Sequence, residues 1–217
     1  MGRSGPVIAI DGPSGAGKST LANALAIRLG VEALDTGAMY RAVAWAALDR
    51  GIDPHDAEAV AALARSVNIG IDDALQVDGR EVTDAIRSGE VDSVVSVVAA
   101  NPAVREEMVR RQREWLSVRG AGVIEGRDIA NVVAPDADLK VYLTASSTVR
   151  ADRRASQLGM PGDTALVEEQ MSLRDRVDST RAVSPLAPPG ATAPGAIVID
   201  STGKGPDEVV EEVMAWL

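Results

Sequence analysis

The stretch Val7-Ile8-Ala9-Ile10-Asp11-Gly12-Pro13-Ser14-Gly15-Ala16-Gly17-Lys18-Ser19-Thr20 decides the fold of this 217-residue chain. Val7 to Ile10 is a short apolar run that predicts a buried strand, and the residues from Lys18 to Leu29 have helical character. Between them Gly12 to Ser19 matches GxxxxGK[ST] in full, after a strand and at the start of a helix, where the physics requires it. Gly12, Gly15 and Gly17 permit a tight backbone path that turns successive N–H groups inward on a phosphate, and the following helix adds the positive end of its dipole. Lys18 reaches the β- and γ-phosphates of a nucleoside triphosphate as a point charge, and the Ser19 hydroxyl joins the Mg²⁺ shell. The plain alternative, a glycine-rich turn without a ligand, is outweighed by the intact motif in its strand-loop-helix setting.

Outward from this segment, short apolar runs alternate with helical stretches, the pattern of a parallel sheet wound with helices. The further runs are Val31 to Leu34, Val123 with Ile124, Val141 to Leu143, and Ile197 to Ile199, so five strands are expected. Helices are expected over Lys18 to Leu29, Met39 to Arg50, Asp56 to Ser66, Asn101 to Arg119, Thr148 to Leu158, Ala165 to Arg176 and Pro206 to Leu217. Asn101 caps its helix with Pro at the first helical position. The last helix has Val209, Val210, Val213 and Leu217 on one face. Asn68 to Ile71 and Leu75 to Val82 read as short strands around Asp-Asp and Asp-Gly turns, a small antiparallel insert. Ser184 to Gly195 is a Pro/Gly-rich loop. Trp45, Trp115 and Trp216 fall at apolar helix positions and read as core, and His55 reads as a surface residue.

The composition is 46% hydrophobic and 25% charged, that of an ordinary globular protein. A chain of this size buries roughly 70% of its unfolded surface without staples. Cysteine is absent, which excludes disulfides, zinc-thiolate sites and thiol nucleophiles, and the single histidine leaves His-rich metal sites and His-centred triads without parts. The start has no continuous apolar leader, and no run approaches the ~20 residues of a membrane helix, so a cytoplasmic protein is expected. With 22 basic against 32 acidic residues the net charge is −10, which argues against non-specific binding to nucleic acid or anionic lipid. Any anion is bound locally. Lys18, Lys140 and Lys204 are the lysines and every other basic residue is arginine, through codon bias or a need for bidentate phosphate donors.

A phosphate cradle leaves three classes open: a small-molecule kinase, a GTPase switch and an ATPase module. A GTPase needs an NKxD segment and no Asn-Lys pair occurs; an ABC-type ATPase needs an LSGGQ-like segment, also absent. A second anion site favours the kinase. Arg41 in Asp35-Thr36-Gly37-Ala38-Met39-Tyr40-Arg41 and Arg127 in Glu125-Gly126-Arg127-Asp128 follow strands, at the carboxyl ends where open α/β sheets bind ligands. Arg150, Arg153 and Arg154 share a helix face at spacings of three and four. Arg174-Asp175-Arg176 and Asp178-Ser179-Thr180-Arg181 read as an Arg-rich turn near a helix end. A solvated surface arginine is the plain reading for each. Distributed arginines also offset the repulsion between a phosphoryl donor and an anionic acceptor.

These segments together resemble the bacterial cytidylate kinase family: IDGPSGAGKST, LDTGAMYR, NPAVREEMVRRQR, EGRDIANVV, PDADLKVYLTAS and LRDRVDSTRAVSPL, with Ala85-Ile86-Arg87. DTGAMYR, GRD and RxxxDSxRxxSPL in this order are specific to that family. The resemblance implies an α/β P-loop core with a five-stranded parallel sheet flanked by helices. It also implies an NMP-binding insert at about residues 66–104 and a helical lid at about 148–180, within one domain over 1–217. It implies transfer from ATP, with Mg²⁺, to CMP or dCMP by a monomer. Gly12 to Thr20 would hold ATP. Ser96, Arg105 and Asp128 match the family's base-reading residues. This is chemically apt, since a carboxylate takes the cytosine N4 amine and a guanidinium donates to the ring, while uracil would leave buried groups unpaired. Arg41, Arg127 and Arg181 match its phosphate-holding arginines, Asp178 and Arg174 its ribose contacts, and Arg153 its lid arginine, with Arg150 and Arg154 beside it. Thr36 and Tyr40 complete the CMP set, Tyr40 as the ring best placed to stack. Lys18, Arg127, Arg153 and Arg181 carry the chemistry. The chain departs from the family at Glu125, where many relatives have Asp, a candidate for a Mg²⁺-bound water. Ala130-Asn131, Ala134 and a shorter insert over Asn68 to Val82 are further departures. Rival readings are a kinase for UMP or another small acceptor, and a P-loop module that binds nucleotide without turnover.

Overall fold

Every side chain of β1 (Val7–Asp11) is buried, as a strand covered on both faces must be. It belongs to a computed structural model that describes residues 5–71, 74–157, 159, 163–181, 183, 185–188 and 190–217. The chain divides into two units, one of residues 1–34 and 116–217 and the other of Asp35–Trp115. In the first, β1 is the centre of a five-stranded sheet whose other members are β2 (Ala33–Asp35), β6 (Gly122–Gly126), β7 (Leu139–Thr144) and β8 (Ile197–Asp200), in the order β2-β6-β1-β7-β8. β1 runs parallel to β6 and β7, with Asp11 level with both Gly126 and Tyr142. The loops that follow β1, β6 and β7 therefore leave from one edge of the sheet. α1 (Lys18–Leu29) packs Leu21, Ala22, Leu25 and Ala26 on the sheet with Ile8, Ile10, Val123, Val141, Leu143 and Ile199, and α8 (Pro206–Met214) adds Val209, Val210 and Val213.

The five expected strands are present, and one strand start and one helix end move for local reasons. β2 starts at Ala33 rather than Val31, because the Val31 N–H closes the end of α1 on the Ala26 carbonyl at 3.0 Å. α8 ends at Met214, so Trp216 and Leu217 turn off the apolar face and are 63% and 50% exposed rather than core. α6 (Ser147–Gln157) and α7 (Thr164–Thr180) pair through Ala155, Val167 and Met171. α7 runs through the segment expected as an Arg-rich turn; the Ser179 and Thr180 hydroxyls bond back to the carbonyls of Asp175 and Arg176, which keeps their polarity inside the helix. Leu158 and Ser184 lie outside the described residues.

In the second unit α2 starts earlier than expected (Thr36–Asp49), with the Asp35 carboxylate accepting the Ala38 N–H at 3.0 Å. α3 (Ala57–Ser66) is capped by Asp56 in the same way. β3 (Ile69–Ile71), β4 (Leu75–Val77) and β5 (Arg80–Glu81) form the antiparallel sheet. The second expected strand splits in two because Asp78 and Gly79 both take positive φ, 50° and 79°, in a hairpin turn. The expected Asp-Asp turn, residues 72–73, lies outside the described residues. α4 (Gly89–Ala100) is not foreseen from sequence, since its run of β-branched valines lowers helix propensity. Burial of Val91, Val95 and Val98 at helical spacing, with α4 packed on α2, decides in its favour. α5 (Pro102–Arg119) begins on the Asn101 cap as expected. Trp115 is buried, whereas Trp45 is half-buried under Arg80, 5.0 Å from its ring centre, and His55 is exposed. No helix among the described residues is long and apolar enough to cross a membrane.

At the end of β1, Asp11 is buried and accepts the N–H groups of Ile129 and Ala130 at 2.7 and 2.9 Å, which ties the central strand to a π-helical turn (Ile129–Val133) after β6. Burial pushes its carboxyl up to about 6 despite those two donors. Between the unfolded value of 3.8 and 6 the folded chain binds the extra proton. This group's contribution to stability is therefore complete below 3.8 and is lost as pH rises through 6. Wild type should gain about 1 kcal/mol on Asp11→Asn between pH 7 and pH 5 in urea unfolding, and a difference that does not move with pH would contradict the burial cost. At Gly12, φ is +150° and a Cβ would lie 2.0 Å from the Leu143 carbonyl oxygen, whereas at Gly30, φ +66°, a Cβ meets open space. Gly30→Ala should lose only the left-handed penalty, about 1–2 kcal/mol, and Gly12→Ala clearly more; equal losses in urea unfolding would contradict the close approach.

Candidate active site

The loop between β1 and α1 has Gly12, Gly15 and Gly17 at φ +150°, +74° and +98°. These are values that glycine adopts freely, and such backbone conformations suit a loop whose N–H groups take an anion. At Gly15 the space for a side chain is filled by the Arg150 backbone carbonyl, 2.7 Å from an ideal Cβ, so α6 closes directly on the loop. Lys18 is buried, and its ammonium donates to the Pro13 carbonyl of the loop at 2.9 Å. The Ser19 hydroxyl donates to the carboxylate of Glu125, a buried residue of β6. Thr20 follows, exposed, on the first turn of α1.

Beside the loop lies an interlocked set of arginines and aspartates. Arg127, which follows β6, donates to the Gly12 carbonyl at 2.6 Å and to Asp178 of α7 at 2.8 Å, with Asp175 at 4.0 Å. Burial works to lower the Arg127 pKa, but the charges of Asp178 and Asp175 outweigh it and the net direction is up, so the guanidinium is a fixed cation. Arg181 lies 3.6 Å from both Asp178 and Asp128. Arg150 pairs with Asp175 at 2.5 Å and donates to the Ser14 carbonyl at 2.9 Å, while Asp175 accepts the Ser14 N–H at 3.2 Å. Asp175 thus uses a loop N–H as a phosphate oxygen would. Arg153 donates to the Ala16 carbonyl at 3.2 Å, to the Ser201 hydroxyl at 2.9 Å and to the Ser201 carbonyl at 3.0 Å, which anchors α6 to the loop and to the segment after β8. Arg174 is half-buried on α7. Asp175, Asp178 and Asp128 balance Arg127, Arg150 and Arg181 by direct pairing. An incoming anion can replace a carboxylate on such a guanidinium without leaving a buried charge alone.

The second unit carries its own cluster. Arg41 on α2 donates to the Ile86 carbonyl at 2.9 Å and pairs with Asp92 of α4 at 2.5 Å. Arg105 on α5 is buried, donates to the Ala99 carbonyl at 3.3 Å and lies 5.5 Å from the centre of the Tyr40 ring, within cation–π reach. Tyr40 and Thr36 are buried on α2, and Ser96 is half-buried on α4.

The structure therefore brings the expected residues into two groups. Lys18, Ser19, Arg127, Asp128, Arg150, Arg153, Asp178 and Arg181 surround the loop, and Tyr40, Arg41 and Arg105 are built into the helices of the second unit. Asp11, Asp92 and Ser201 were not singled out from sequence. A charge ending an otherwise apolar strand was the available signal for Asp11; Asp92 and Ser201 had none, because each partners a residue distant along the chain.

The family model for cytidylate kinase matches residues 8–217. The cytidylate kinase of Desulfitobacterium hafniense (strain Y51) is 46% identical over 215 residues, covering 96% of this chain and 90% of that protein. That of Mycolicibacterium paratuberculosis (strain ATCC BAA-968 / K-10) is 44% identical, covering 95% of this chain and 92% of that protein. A bifunctional pantoate ligase/cytidylate kinase of Synechococcus sp. (strain JA-2-3B'a(2-13)) is 48% identical over 96% of this chain, which spans 40% of that protein's length. Among solved structures, an uncharacterized protein from Eubacterium ventriosum ATCC 27560 shares the fold at a TM-score of 0.58 and 12% identity, over 97% of each chain. The matched region takes in the glycine-rich loop, the Glu125–Asp128 segment and the arginines of α6 and α7, and the chain belongs to the cytidylate kinase family.

Proposed function

We propose that this chain transfers the γ-phosphoryl group of ATP to CMP or dCMP, giving CDP or dCDP in pyrimidine nucleotide metabolism. One observation carries the reading: Arg127 is bonded at once to the backbone of the glycine-rich loop and to Asp178. One guanidinium thereby links the loop that takes the donor to residues the family uses for the acceptor. Gly12 to Thr20 bind ATP, with Lys18 moving from the Pro13 carbonyl to the phosphates. Arg127, Arg181 and Arg41 hold the acceptor phosphate, Asp178 and Arg174 the ribose, and Ser96, Arg105 and Asp128 the cytosine, and Thr36 and Tyr40 complete the CMP set. The acceptor phosphate is largely ionised at neutral pH, so no strong general base is required, and the residues act by positioning and by stabilising spreading charge.

Mg²⁺ fits the residues present. Among the described residues no cluster of three or more His, Cys, Asp or Glu is built to hold a metal by itself. The Ser19 hydroxyl against the Glu125 carboxylate offers the hard oxygen donors suited to an ion that keeps waters and substrate phosphates as its other ligands. Ser19 would hold it directly and Glu125 through a bound water. When bound, the ion neutralises charge on the β- and γ-phosphates. Arg150 and Arg153 on α6 keep the lid, about residues 148–180, against the loop and exclude water as a competing acceptor. The NMP-binding insert is about residues 66–104 of a single kinase domain. A cytoplasmic monomer completes the reading.

ADP release with ATP, Mg²⁺ and CMP, dCMP, UMP, AMP, GMP or shikimate as acceptor should be stimulated by CMP and dCMP. No acceptor-stimulated release would contradict the kinase, and UMP faster than CMP would contradict the base assignment. Lys18→Ala should reduce transfer at least tenfold with the fold retained by circular dichroism; activity above a tenth of wild type would contradict the role of the loop. Asp128→Ala should lower the CMP-over-UMP preference at least tenfold with ATP binding kept, and equal loss of both would assign Asp128 to the fold.

A further inference from the structure

Asp128 stands at the N-cap of the π-helical turn Ile129–Val133, with φ −149° and ψ 23°, yet its side chain makes no capping bond. Aspartate is among the best residues for that task, because its carboxylate ordinarily folds back onto the first N–H groups of the turn. Here the N–H groups of Ile129 and Ala130 are taken by Asp11, 118 and 119 residues away in sequence. Each oxygen of Asp11 receives one donor. The Asp128 carboxylate is turned instead toward Arg181, at 3.6 Å. The arrangement is costly, because Asp11 is 6% exposed, and Asp128 adds a like charge that raises its pKa further.

We propose that Asp11 is the positioning residue for base recognition: by capping the turn in place of Asp128, it releases the Asp128 carboxylate to accept the exocyclic amine of the pyrimidine. This rests on the reading of Asp128 as a cytosine contact. Two features make Asp11 suited to the task. It ends the central strand, with Gly126 level on one side and Tyr142 on the other, so the backbone that carries its carboxylate is flanked by paired strands on both sides. It also receives two separate N–H bonds, which fix the direction as well as the position of the residue before them. A turn capped by Asp128 itself would draw that carboxylate back onto the backbone and away from any ligand.

The test is a cycle of Asp11→Asn, Asp128→Asn and the double variant, with the CMP and UMP dependence of ADP release measured at pH 8. Asparagine keeps the size of Asp11 but sets an N–H donor against the N–H of Ile129 or Ala130. The expected result for Asp11→Asn is a rise in KM for CMP of at least tenfold and a fall of at least tenfold in CMP-over-UMP preference. KM for ATP should stay within threefold, and the double variant should discriminate no worse than Asp128→Asn alone. If Asp128→Asn loses discrimination and Asp11→Asn does not, the positioning role is overturned while the base reading stands. If Asp128→Asn keeps full discrimination, the base reading itself fails, and this proposal with it. Multiplying losses in the double variant, or equal rises in KM for ATP and CMP, would overturn a route through Asp128. Amide exchange in the wild-type protein tests the cap without any variant. Ile129 and Ala130 should exchange at least a hundredfold slower than unstructured amides, and unprotected exchange at both would overturn the proposal.

Discussion

The bonds from Arg127 to the Gly12 carbonyl and to Asp178 are the joint on which the first unit's site depends. One planar cation meets a loop carbonyl and a helix carboxylate, so the end of β6, the glycine-rich loop and α7 are held in one register. The sheet makes this possible: β1 and β6 run parallel and end level at Asp11 and Gly126, so the loops that follow them start side by side. Planar geometry matters here, because an ammonium could satisfy one of these partners and not hold both at fixed angles. The excess of arginine over lysine therefore has a structural meaning at Arg127, Arg150, Arg153 and Arg181, each of which contacts two partners.

Charge balance follows from the same joint. A chain with a net charge of −10 binds polyanions only where arginines are concentrated, and concentrated arginines repel one another unless paired. Asp175, Asp178 and Asp128 supply that pairing beside the loop, as Asp92 does for Arg41 in the second unit. These carboxylates hold the guanidinium groups in geometries that phosphates can take over, at the cost of displacing an acidic side chain. Asp11 plays the complementary part, spending its own hydrogen bonds on backbone so that Asp128 does not.

Much of this was legible in the sequence, for identifiable reasons. The strand-loop-helix over Val7 to Leu29 combines an apolar run, a glycine pattern and a helix, three signals that agree. Arg41 and Arg127 stood out because they follow strands. What the sequence does not display depends on pairing between distant positions. Asp11 caps a turn more than a hundred residues away, and Asp92 and Ser201 matter through arginines on other elements. The helix Gly89–Ala100 is set by burial of its valines against the local preference of the sequence, and α7 extends beyond its expected end because Ser179 and Thr180 bond back into their own helix. Trp216 lies beyond the helix end, where periodicity no longer says which way a side chain points.

On the proposed reading, the Asp128 carboxylate separates a cytosine nucleotide from a uracil nucleotide. Calorimetric titration of the wild-type protein with CMP and with UMP, without ATP, isolates that role, since one exchanged donor and acceptor pair separates the two ligands. Each such contact contributes about 1–3 kcal/mol, so CMP should bind at least tenfold more tightly than UMP. Equal affinities would show that Asp128 does not select the base.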